Sequence, residues 1–172
     1  MRSVPAASEV PKTVSSGNSF FDEPRLCAEL IRVLQHEGSL RLRVKGSSMW
    51  PWVRSGAEVQ VRSWNSEALV PGDLVLFQRG STLAFHRVVR RPSDRFGWIV
   101  RGDAHGSVEE FVSDDSVLGK GEGLVVGRKT WRLGSALERR IAHAILEYGP
   151  AIAKAAKLGM TVRRRVLGGS RR

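Results

Sequence analysis

A chain of 172 residues can bury a core without help from metals or disulfides, and its single cysteine, Cys27, excludes an intramolecular disulfide framework and reads as a core residue. The formal charge of +11 is unevenly spread: residues 128–172 hold twelve Lys and Arg against Glu138 and Glu147, a net +10, and the remainder is nearly neutral. A basic appendage on a neutral domain points to an acidic partner, such as an anionic membrane surface or nucleic acid, and away from a fold that is itself uniformly basic.

Residues 1–21 mix Ser, Pro, Val, Gly and Asn without periodicity and read as a flexible leader. From Asp22 a helical pattern begins, with Pro24 early in it, Leu26, Leu30, Val33 and Leu34 on one face, and Gly38 at its end. The period then changes to two. Leu40, Leu42 and Val44 alternate with Arg41, Arg43 and Lys45, and Ala57, Val59 and Val61 alternate with polar neighbours. Leu74–Phe77, Leu83–Val89 and Trp98–Val100 follow as short strands between turn signals, with Leu118 and Leu124–Val126 closing the series. Many short strands without intervening helices predict a mainly β domain, a coiled or barrel-like antiparallel sheet over roughly 39–130.

After Trp131, Leu133, Leu137, Ile141 and Ile145 recur every fourth residue, predicting a helix that Tyr148-Gly149-Pro150 breaks. A second, Ala/Lys-rich helix is expected over Ile152–Leu158, ahead of Arg163-Arg164-Arg165. The chain therefore divides into a leader (1–21), a domain with an N-terminal helix (22–130) and a basic helical extension (131–172). No apolar run of about 18 residues and no apolar signal core occurs, so the expectation is a soluble, cytoplasmic chain that meets a membrane only peripherally.

Gly46-Ser47-Ser48-Met49-Trp50-Pro51 is the candidate for chemistry. A serine hydroxyl becomes a nucleophile when a base accepts its proton and N–H groups hold the developing oxyanion. Small Gly46 and Ser47 let a peptide carbonyl approach, and the Ser48 amide with the Ser47 hydroxyl can face that oxyanion. His86, on a predicted strand, is a suitable base. Asp103 and Glu109 are candidates to orient its ring, whereas Glu109-Glu110 with Asp114-Asp115 also reads as a solvated acidic loop. His36, His86, His105 and His143 lack metal-ligand spacing, so neither a metal nor another cofactor is invoked.

Ser48-Met49-Trp50-Pro51, Gly72-Asp73-Leu74-Val75, His86-Arg87-Val88, Gly102-Asp103 and Val117-Leu118-Gly119-Lys120 resemble, in content, order and spacing, the catalytic domain of type I signal peptidases. The likeness covers about residues 40–127 and is nearest to the serine/histidine branch of the endoplasmic reticulum and archaea. It implies Ser48 as nucleophile, His86 as general base, and Asp103 or Glu109 as the third polar partner, with Gly46, Ser47, Met49 and Pro51 contacting the oxyanion and substrate. It implies a coiled β fold shared with self-cleaving SOS repressor domains, and an extended peptide substrate with small side chains flanking the cut. The sequence departs from the family in three places: the segment from Asp22 to Gly38 reads as a soluble amphipathic helix where a membrane anchor is usual, Glu109 stands where aspartate is usual, and the basic helices have no counterpart. A non-catalytic peptide-binding module is one alternative. Another is a repressor-like nucleic-acid-binding regulator, disfavoured by the lack of a helix-turn-helix and by histidine in place of that group's lysine.

Overall fold

A computed structural model describes residues 24–104, 108–126 and 129–168; the expected leader and the helix start at Asp22 lie outside them. Helix α1 (Pro24–Glu37) buries Cys27, Leu30 and Leu34, and Gly38 ends it with a positive φ while its N–H donates to the Leu34 carbonyl at 3.0 Å. Eight strands follow: β1 (Ser39–Arg43), β2 (Glu58–Ser63), β3 (Leu74–Arg79), β4 (Thr82–Arg90), β5 (Gly97–Arg101), β6 (Glu109–Ser113), β7 (Val117–Val126) and β8 (Lys129–Arg132). Helix α2 (Ala136–Gly168) ends the described chain.

All pairings are antiparallel, in the order β1-β2-β7-β3-β4-β5-β6, with β8 also on β7. The sheet is mainly antiparallel but open, with β1 and β6 as its ends; the barrel-like expectation is corrected to an unclosed sheet. Central β3 is buried on both faces. Leu74 and Leu76 enter a core shared with α1, β1, β2, Met49 and Val53, whereas Val75 and Phe77 enter a second core with Val88, Trp98, Val100 and Val112. Phe77, only 1% exposed, anchors the second core, where truncating such a ring to alanine costs about 3–5 kcal/mol.

The structure alters three further expectations. Glu109-Glu110 opens strand β6 and is not a loop, because its backbone bonds to β5. The sheet continues through β8, past residue 130. The extension is one helix of 33 residues that passes through Gly149-Pro150 without a break. Proline at 150 removes the donor that would bond the Leu146 carbonyl four residues earlier, and the Arg101 guanidinium supplies one in its place at 2.6 Å. No helix among the described residues is long and apolar enough to cross a membrane.

Candidate functional site

Ser48 lies in the turn beyond β1. The β1–β2 ladder runs one step further, Val44 N–H to the Ala57 carbonyl at 2.8 Å, before Gly46 adopts a φ of 83° and turns the chain. The turn is then fixed from within: Trp50 N–H donates to the Ser47 carbonyl at 3.1 Å and Val53 N–H to the Met49 carbonyl at 2.9 Å. Val44 before Ser48, and Met49 and Val53 after it, enter the first core, so the main chain carrying Ser48 is pinned from both sides.

His86 is on β4, opposite Val75 of β3, and is 4% exposed. Its ring packs against Phe77, with centroids 5.6 Å apart. Ser48 and His86 line the same pocket, a cavity of about 150 Å³ whose walls include Leu42, Val44, Leu76 and Phe85. Lys45 and Arg79 also reach its lining. The pocket therefore reaches from the serine turn across residues of β1, β2 and β3 to the first half of β4. Registered pairs between β4 and β5 start at Arg87, one residue beyond His86.

The surrounding ion pairs sort the acidic candidates. Asp103 belongs to a buried fork with Arg87: Nε donates to Oδ1 at 3.0 Å and Nη2 to Oδ2 at 2.9 Å, while Nη1 donates to the Gly72 carbonyl at 2.8 Å. The next residue, Ala104, donates its N–H to the Ser48 carbonyl at 2.8 Å. Asp73 accepts from Lys120 at 2.7 Å and from the Val70 N–H at 2.9 Å. The segments around Ser48, Gly72-Asp73, Arg87, Asp103 and Lys120, scattered over the sequence, thus form one network beneath the serine turn. Glu109 pairs with Arg90 at 2.5 Å.

The acid beside His86 is Glu110, whose Oε2 lies 3.6 Å from Nδ1. Asp103 and Glu109 were the sequence candidates for this place; both are held by arginines of β4, Arg87 and Arg90. Strand parity explains the difference, since Glu110 shares a face with buried Val112 while Glu109 lies on the other. That parity could have singled out Glu110 had β6 been read as a strand. Arg79 stands between the two groups: it pairs with both Glu110 oxygens and places Nη2 3.4 Å from His86 Nδ1. A guanidinium can only donate, so this contact favours a bare Nδ1 with the proton on Nε2, whereas a carboxylate at Nδ1 favours the proton there and leaves Nε2 as the base.

Of the small residues expected at the oxyanion and substrate side, Gly46 and Ser47 are exposed, Pro51 is half-buried after a cis Trp50–Pro51 bond, and Met49 is a core anchor at 1% exposure. Ser48 is the member of that stretch lining the pocket. Comparison of the chain with protein-family models and with curated proteins finds no match to either.

Proposed function

We propose that the protein is a serine endopeptidase of the signal-peptidase type, with Ser48 as nucleophile and His86 as general base. The observation that carries this reading is the shared pocket: a serine on a rigid turn and a buried histidine from a distant strand line one small, largely apolar cavity. The network of Arg87, Asp103 and Ala104 under the serine turn supports it by fixing the nucleophile's main chain relative to β4.

The substrate is an extended peptide that adds as a strand beside β1 and the Leu83–Phe85 end of β4, ahead of the point where β4–β5 pairing begins at Arg87. The cavity of about 150 Å³ beside the scissile bond receives substrate side chains. Attack requires the Ser48 hydroxyl within hydrogen-bond distance of the imidazole. The Ser48 oxygen then bonds to the peptide carbonyl carbon as its proton passes to His86 Nε2. Collapse breaks the C–N bond, the imidazolium gives that proton to the leaving amine, and an acyl-serine ester remains. Water, deprotonated by the same imidazole, hydrolyses the ester and restores Ser48. Glu110 balances the transient imidazolium charge.

The test is an N-terminal peptide profile of a native-host proteome incubated with wild-type protein and with Ser48→Ala. New termini with small residues at the cut, made by wild type and missing with the variant, support the reading; identical profiles overturn it.

A further inference from the structure

Helix α2 presents a surface that the proposed chemistry does not use. At about 1.5 Å per residue its 33 residues extend about 50 Å, far more than its contact with the sheet requires. Among the described residues that contact includes a seam of Ala142, Ile145 and Gly149, at i, i+3 and i+7, with Ala142 over Gly72 and Gly149 over Trp52. On a neighbouring arc, Leu137, Ile141, Tyr148 and Ile152 are all exposed. With exposed Ala144 and Ala155 they are spaced 4, 3, 4, 4 and 3 residues apart, which places all six in one stripe on a helix of 3.6 residues per turn.

Exposed Arg139, Arg140 and Lys154 occupy the arc on the other side of the stripe, with His143 and Glu147 among them, and the helix continues through the sequence Arg163-Arg164-Arg165. An apolar stripe about five turns long, bordered by cations, has the chemistry of an interfacial helix. We infer that α2 docks this protein on an anionic lipid bilayer, with Leu137, Ile141, Tyr148 and Ile152 entering the headgroup–acyl boundary and the basic arc meeting acidic headgroups. A second copy of the chain fits less well, because it would bring together two segments that each carry a net +10 over residues 128–172. Nucleic acid would satisfy the cations but leaves the apolar stripe without a role.

The experiment is co-sedimentation of the full chain with vesicles of pure phosphatidylcholine and of equal parts phosphatidylcholine and phosphatidylglycerol, using wild type and the double variant Ile141→Ser/Ile152→Ser. Wild type is expected to bind the acidic vesicles at least about tenfold more tightly than the neutral ones, as a few interfacial cations dictate. The double variant is expected to lose at least about tenfold of that binding, with an unchanged melting temperature because both positions are exposed. Equal binding to both vesicle types, unchanged binding of the double variant, or concentration-dependent dimerisation without vesicle binding overturns the inference. So does binding to duplex DNA alone. None of these outcomes bears on cleavage by Ser48, which is measured separately on free peptides.

Discussion

Glu109 and Glu110 are neighbours in sequence and lie on opposite faces of one strand, and that parity divides their roles. Glu110 faces His86 and can hold its Nδ1 proton; Glu109 is held by Arg90. Glu110→Gln is expected to lower kcat by about ten- to a hundredfold with little change in KM, because it removes the charge opposite the imidazolium. Glu109→Gln is expected to leave kcat within about twofold, since a half-exposed pair carries little energy and no catalytic proton. Steady-state rates on one peptide substrate check both, and equal losses in the two variants would return the acid assignment to an open state. Asp103 has a different task. With Arg87 2% exposed and Asp103 4% exposed, Asp103→Ala strands a buried guanidinium and is expected to cost about 3–5 kcal/mol, measured by denaturant unfolding.

At the scale of elements, α2 depends on two points where the sheet domain meets it. Arg101 caps the Leu146 carbonyl that Pro150 leaves without its helical donor. Arg101→Met is expected to fray the helix at this step, at a cost of about 1–3 kcal/mol, and limited proteolysis should cut near residues 146–152 in the variant and not in wild type. Gly72, at a φ of 99°, would place a Cβ 2.8 Å from that of Ala142. Gly72→Ala combines backbone strain with a clash against the seam, and is expected to lower stability by about 1–3 kcal/mol.

The same elements show what can be read from sequence. Helix α1 and strands β1 and β2 were legible because their apolar residues keep a clean period against polar neighbours, and β3 to β5 because short apolar runs stand between turn signals. Strand β7 was legible only in pieces: glycines fill alternate positions at 119, 121 and 123, and a Cβ at Gly119 would lie 2.5 Å from Val61 Cγ1, so close packing replaces the usual apolar pattern. Strand β6 was hidden by its two glutamates, whose partners, Arg79 and Arg90, come from other strands. The continuity of α2 was hidden because the donor that rescues Pro150 lies 45 residues away in sequence. Local rules about proline cannot anticipate a tertiary hydrogen bond.

For the whole molecule, two cores on either side of β3 set the geometry of the site: the first pins the serine turn through Met49 and Val53, and the second pins the histidine through Phe77. Ser48 and His86 were legible as residues, whereas their placement in one pocket depends on a sheet that brings the serine turn beyond β1 to the same cavity as the first half of β4. On the proposed reading, α2 adds the location and the pocket supplies the chemistry. The central claim is that the pocket's serine and histidine cut peptides. Its most direct measurement is cleavage of a quenched-fluorescent pool of extended peptides carrying alanine on either side of the central bond, by wild type, Ser48→Ala and His86→Ala. The account predicts cleavage by wild type and a loss of about a thousandfold or more in each variant, with an unchanged melting temperature in Ser48→Ala; wild-type rates in Ser48→Ala, or a pool left intact by the wild-type protein, would contradict it.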